Sequence, residues 1–200
     1  MRLARILTLL LHPVIMPLAG VYILLTYGGW LSLMPPVAKR YIYLITAITT
    51  LVIPLLILPL LKHKKIISGY HLSDHRERRI PLLLVAFLNL AGAWILQRAG
   101  APLVFALFLD ASSMIILGCT LITWKWKIST HLAGIGGLTG MVMAVSLKWT
   151  LNLEIITGIL FLLSGLSGFA RLKLDQHTPA QVYAGYLLGF GISFFVMRMI

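Results

Sequence analysis

Arg171 and His177 lie in a short polar segment that separates two long apolar runs. Thr178-Pro179 follows at once; threonine is a good helix N-cap and proline suits the first helical position. A helix start has unpaired N–H groups and the positive end of the helix dipole, which together favour an anion. A guanidinium and an imidazole beside such a helix start indicate a phosphate-binding site.

Two further segments carry the same types of residue. His131 follows Ser129 and Thr130, either of which would cap the helix predicted to begin there. A polar connection farther upstream holds a cluster of arginines, whose bidentate and permanently charged contacts suit phosphate oxygens. Its members are Arg76, Arg78 and Arg79. Alone, such a cluster is more often an anchor for anionic lipid, and each histidine alone is more often without a ligand. Together they favour function, because ionisable groups at a membrane boundary tend to be functional.

The composition predicts an all-α, polytopic transmembrane helical bundle. The chain has 200 residues, of which 60% are hydrophobic and 11% charged, with a mean hydropathy of +0.96. A soluble domain carries roughly twice that share of charge, and several apolar runs reach about 20 residues, the length that crosses a bilayer. We expect a single integral membrane domain over residues 1–200.

The net charge of +12 would suggest nucleic acid in a soluble protein, but here the charges flank apolar runs. Membrane lipids are therefore the predicted partners.

The apolar runs predict six or seven membrane-spanning helices, since the third and sixth are short. Prolines inside the first run should kink it. The predicted ranges are 6–27, 41–61, 81–96, 103–123, 131–147, 155–169 and 179–197.

Three polar connections fall on one face of the membrane, because an even number of crossings separates each from the next. They span residues 62–79, 124–130 and 170–178, and the middle one reads as an interfacial belt of Trp and Lys. A shared active site would require this arrangement. The positive-inside rule places that face in the cytoplasm.

The pattern of the last polar segment resembles the third signature of the type-2 phosphatidic acid phosphatase superfamily, Ser-Arg-x5-His-x3-Asp. Arg171 and His177 match it, whereas Ala170 replaces the serine and Gln181 the aspartate. The second signature, Pro-Ser-Gly-His, is matched by the serine and histidine of Ile128-Ser129-Thr130-His131.

The first signature, Lys-x6-Arg-Pro, compares with residues 74–81. This stretch has arginines and Pro81, but Ile80 is inserted between them and no lysine stands at the expected distance. Lys65, His71 or Arg76 could take the place of that lysine. The phosphatase-like core suggested by the three motifs covers about residues 70–198.

The resemblance implies an integral membrane lipid-phosphate phosphatase that hydrolyses a phosphate ester or pyrophosphate of a lipid, with no metal or other cofactor. It makes His177 the nucleophile, through a phosphohistidine, and His131 the acid for the leaving group. Gln181 would orient His177 without the charge of an aspartate, unless Asp175 substitutes for it. The residues expected around the phosphate are Arg171, Arg79, Arg78, Arg76, Ser129 and Thr130.

Two alternatives stand beside this reading. The first is a non-catalytic protein on the same scaffold that binds or transports a lipid phosphate, because Gln181 departs from the motif. The second is a prenyl- or alcohol-phosphate transferase, which we disfavour because the chain has only Asp74, Asp110 and Asp175. The resemblance suggests a bacterial inner membrane. Bacterial members of the superfamily commonly act on its outer face, against the positive-inside prediction, so the side stays open.

Overall fold

The structure, a computed structural model, describes residues 1–69 and 77–200. Its described part is built from helices that form seven candidate membrane spans. The first two spans are each interrupted and the other five are continuous. The α-helices are α1 Arg2–Leu10, α2 Met16–Tyr27, α3 Pro36–Ala47, α4 Ile53–His63, α5 Arg79–Arg98, α6 Leu103–Thr123, α7 Thr130–Trp149, α8 Glu154–Lys173 and α9 Pro179–Arg198.

The prediction of a polytopic all-helical membrane protein is confirmed: residues 1–69 and 77–200 contain seven helices long and apolar enough to cross a bilayer. The third and sixth spans, α5 and α8, are each 20 residues long, which is longer than the sequence predicted. Their charged ends continue the helix rather than ending it. Long basic side chains at a helix end extend toward the interface while their stems stay along the apolar surface.

The first span is broken at His12-Pro13, as its prolines predict. Helix α1 ends at Leu10, a 3-10 turn covers Pro13–Ile15, and α2 begins at Met16. Proline lacks the N–H that would continue the helical ladder and its ring clashes with the preceding turn. The break leaves His12 at the start of the 3-10 turn, outside both α-helices.

Helix α7 is the centre of the bundle. Of the most apolar window of α7, 72% is buried, against 50% or less in every other span. It packs on α9 through glycines: a Cβ on Gly136 would meet the carbonyl oxygen of Tyr186, and one on Gly189 that of Ala133. Small residues allow backbones to approach closely, which is the main source of helix association in lipid.

This close packing fixes the relative position of two helix starts. The backbone N–H of Ser129, just before α7, donates to the carbonyl oxygen of Gln181 in the first turn of α9 at 3.3 Å. Gly185 leaves no room for a Cβ against the carbonyl oxygen of Ser129, 2.5 Å away. His131 and His177 are therefore held at the same end of the bundle.

Candidate active site

The bundle contains a cavity of about 1140 Å³ whose walls come from α1, α2 and α4 to α8 and from the segments beside them. Its deeper walls are apolar and include Leu58, Val85, Phe108, Ile115 and Leu138. The end nearest the polar connections is cationic. That end is lined by Arg5, His12, Arg78, Lys127, His131 and Arg171.

Arg171 lies in the last turn of α8, facing the cavity. Its side chain is only 6% exposed, and its Nε atom has no hydrogen-bond partner among the described residues. A buried charged group without its hydrogen bonds is costly, so such a group calls for a partner. An anion in the cavity would supply one.

His131 lies in the first turn of α7, where the sequence placed it. It is 9% exposed, and its Nε2 atom is buried without a hydrogen-bond partner in the described part of the chain. The ring of His12 packs edge-on against it, with ring centroids 5.2 Å apart. The Nε2 atom of His131 is therefore available to a ligand in the cavity.

His177 precedes the N-cap of α9 and is oriented by that cap. Gln181 and Thr178 form a capping box, in which the Thr178 N–H donates to Gln181 Oε1 at 3.1 Å. The same Oε1 lies 3.0 Å from His177 Nδ1. Because this oxygen only accepts, Nδ1 of neutral His177 carries the proton and Nε2 carries the lone pair. Nε2 of His177 can therefore act as a nucleophile.

Burial, and to a smaller extent the positive charges of Arg171, Lys127 and Arg78, lower the pKa of His177 to about 4, although the hydrogen bond that His177 donates to Gln181 acts in the opposite direction. His177 is therefore neutral at pH 7. The side chain is 8% exposed, and His177 is not itself among the residues that line the cavity, whereas its neighbours Asp175 and Gln176 are.

The cations around the cavity repel one another. Burial lowers the pKa of Arg78. The pKa of Lys127 is also lowered, first by burial and then by the charges of Arg78 and Arg171. Among the described residues that line the cavity, the cations Arg5, Arg78, Lys127 and Arg171 outnumber the one carboxylate, Asp175, and a bound anion would reduce their repulsion.

The other predicted phosphate-binding residues are placed differently. Arg79 does not line the cavity: its guanidinium carbon lies 5.2 Å above the centroid of the Trp124 ring. Ser129 is fully buried beneath α9, whereas Thr130 lines the cavity. Arg76 lies outside the described residues, as does the rest of the first motif up to that position.

Two cavity residues were missed from the sequence. Lys127 was predicted only as part of an interfacial belt, although its place four residues before His131 was a usable signal. His12 was not included among the candidate site residues. A histidine next to a proline inside an apolar run marks a polar group at a helix break, which is a signal that could have identified it.

The arrangement can hold a phosphate between guanidinium and ammonium groups on the wall that carries His131, and His177 follows the lining residues Asp175 and Gln176 directly in the chain. Comparisons of the chain with protein-family models, with curated proteins and with solved structures found no match.

Proposed function

We propose that the chain is an integral membrane lipid-phosphate phosphatase, similar to the type-2 phosphatidic acid phosphatases, acting through a phosphohistidine on His177. The observation that carries the proposal is the buried guanidinium of Arg171, whose Nε has no hydrogen-bond partner among the residues that the structure describes, beside His131 at the cationic end of an otherwise apolar cavity. The residue pattern and this geometry point to the same chemistry.

The shape of the cavity supports a lipid substrate. Its cationic end suits a phosphate or pyrophosphate, and the apolar walls beyond suit hydrocarbon. A small hydrophilic phosphate would leave those walls uncovered. The substrate class is therefore an amphiphile with a phosphorylated head, such as a phosphatidate or a prenyl pyrophosphate.

In the proposed reaction, Nε2 of His177 attacks phosphorus and the bond from phosphorus to the lipid oxygen breaks. His131 donates a proton to that oxygen, and the dephosphorylated lipid leaves. Water then attacks the phosphohistidine and gives its proton to His131, which releases phosphate, restores the neutral imidazole of His177 and returns His131 to its protonated form. Arg171, Arg78 and Lys127 neutralise charge on the phosphoryl oxygens in both steps.

Gln181 supports the orientation of the nucleophile without supplying a charge. Its oxygen holds Nδ1–H of His177, so the tautomer needed for attack is maintained. A carboxylate would in addition stabilise the positive phosphohistidine. We therefore expect turnover to be slow for this class of enzyme. As part of the proposal we place the protein in a bacterial inner membrane, on the strength of the resemblance alone.

Release of inorganic phosphate tests the proposal. The purified full chain in neutral detergent is incubated with phosphatidate, lysophosphatidate and prenyl pyrophosphates, with chelator present. We expect metal-independent release from at least one of them, and loss of that release in His177→Ala. His63→Ala, which alters an exposed histidine at the end of α4, is the matched control. Release that survives His177→Ala unchanged would show that another group is the nucleophile.

The second candidate function, a non-catalytic lipid-phosphate binder or transporter, is favoured by Gln181 in place of a carboxylate. It predicts Arg171-dependent binding of the same lipids with no phosphate released. The two functions share one ligand site and differ only in turnover, so the same preparations distinguish them.

A further inference from the structure

We propose that His12 is a third histidine of this site and that its Nε2–H donates a hydrogen bond to the anion held by Arg171. The inference deepens the proposed function, on which it rests for the identity of the ligand as a lipid phosphate. It assigns part of the site to the first span, which lies outside the phosphatase-like core indicated by the sequence motifs.

The helix break orients the His12 ring. His12 is the N-cap of the 3-10 turn, and the backbone N–H of Val14 donates to its Nδ1 at 3.3 Å. Because Nδ1 accepts this bond, a neutral His12 carries its proton on Nε2. The ring therefore offers a donor to its surroundings. A polar side chain at a helix break inside a membrane span usually serves a function.

His12 and His131 form a pair on the wall of the cavity. Their ring centroids are 5.2 Å apart and the rings are nearly perpendicular, at 80°. Both line the cavity, as does Arg171. Among the residues that the structure describes, no three His, Cys, Asp or Glu side chains are grouped to hold a metal ion. With the guanidinium of Arg171 on the same wall, the pair suits an anion.

A glycine on α7 allows the first span to reach this position. A Cβ on Gly134 would lie 3.0 Å from the Cβ of Pro13 and 3.2 Å from its Cα. Gly134 is one turn along α7 from His131, on the same side of the helix. The small residue lets the break pack directly on α7, which brings His12 against His131.

Binding of dodecylphosphonate in neutral detergent micelles tests the proposal, because its P–C bond is not hydrolysed and binding is measured without turnover. His12→Asn keeps an acceptor for the Val14 N–H, since asparagine is a good N-cap, but removes the Nε2 donor. We expect binding to weaken about tenfold, the usual effect of losing a hydrogen bond to a charged group. His12→Gln places an amide N–H near the former Nε2 and is expected to recover most of the affinity.

The controls distinguish the role of His12 from the existence of the anion site. Arg171→Ala is expected to abolish binding, and His63→Asn to leave it unchanged. If Arg171→Ala weakens binding but His12→Asn does not, the role of His12 is wrong while the anion site stands. If neither the unaltered chain nor Arg171→Ala distinguishes the phosphonate from a neutral alkyl alcohol, the anion site itself is wrong, and the proposed function fails with it.

A measurement on the unaltered chain makes the test independent of the folding of any variant. In protein labelled with nitrogen-15 histidine, the His12 Nε2 signal is expected to move when dodecylphosphonate is added, because a new hydrogen bond changes its shielding. A signal that stays in place at saturating phosphonate overturns the assignment of His12.

Discussion

Nδ1 of His177 lies 3.0 Å from Oε1 of Gln181, four residues later in the first turn of α9. This hydrogen bond joins the proposed nucleophile to the capping box of α9. The capping of the helix and the tautomer of the His177 imidazole therefore both depend on the side chain of Gln181. Glutamine supplies the acceptor but no charge. The electrostatic part of this relationship can therefore be altered while the hydrogen bond is kept.

Gln181→Glu should raise the pKa of His177. The substitution retains the length of the side chain and its acceptor oxygen while adding a negative charge next to the ring, which favours imidazolium. We expect the pKa to rise from about 4 by about one to two pH units, measured by NMR of labelled histidine. Gln97→Glu, at an exposed position in the last turn of α5, should leave the His177 titration unchanged. An unshifted titration in Gln181→Glu would contradict the 3.0 Å contact.

His177 in the unaltered chain should stay neutral well below the usual pH range of histidine. Burial and three nearby cations lower its pKa, so the folded state takes up its proton at lower pH than the unfolded state. Between the ordinary pKa of 6.5 and about 4, the unfolded chain binds more protons, and stability falls as the pH falls. Thermal unfolding across this window should show a shallower pH dependence in His177→Asn. An equal slope in both proteins would place the titrating group elsewhere.

Two neighbouring arginines should behave differently. Arg78 lines the cavity, whereas Arg79 lies over the Trp124 ring. We expect Arg78→Ala to weaken dodecylphosphonate binding about tenfold or more, because a charged contact to the phosphonate is lost. Arg79→Ala serves as the matched control and should change affinity by less than about threefold. Reversed effects would mean that the register of the start of α5 differs from the structure.

Two glycines of α9 provide a packing test. A Cβ on Gly189 would lie 2.8 Å from the carbonyl carbon of Ala133 and 2.9 Å from the backbone nitrogen of Gly137, so α7 and α9 would have to separate. We expect Gly189→Ala to destabilise the protein by about 1–3 kcal/mol and to reduce phosphonate binding, because the separation displaces His131 from His177. Gly191 has nothing within 4 Å of its Cβ position. Gly191→Ala should be neutral or stabilising in thermal unfolding, and equal effects of the two substitutions would exclude the described helix interface.

The architecture was largely readable from the sequence, since apolar runs of membrane length leave few other folds. The Thr178-Pro179 cap followed from local residue types in the same way, and the capping box with Gln181 is observed. The broken first span followed from Pro13. These features depend on neighbours within a helical turn, which is the range over which sequence patterns carry information.

The composition of the cavity wall was not readable from the sequence. Whether Arg78 or Arg79 faces the cavity depends on the rotation of α5 after a loop. The contact between His12 and His131 depends on Gly134 admitting the break of a distant span. Both are consequences of three-dimensional packing between segments far apart in the chain.

The central claim is that His177 is phosphorylated by a lipid phosphate. The most direct test is rapid quenching of the full chain during turnover of a phosphatidate or prenyl pyrophosphate, followed by digestion at alkaline pH and mass spectrometry of the peptide that contains residues 174–198. The account predicts an acid-labile, alkali-stable phosphoryl group on His177 that is lost in His177→Asn. Phosphate release without this modification, or the same group on His131 instead, would contradict it.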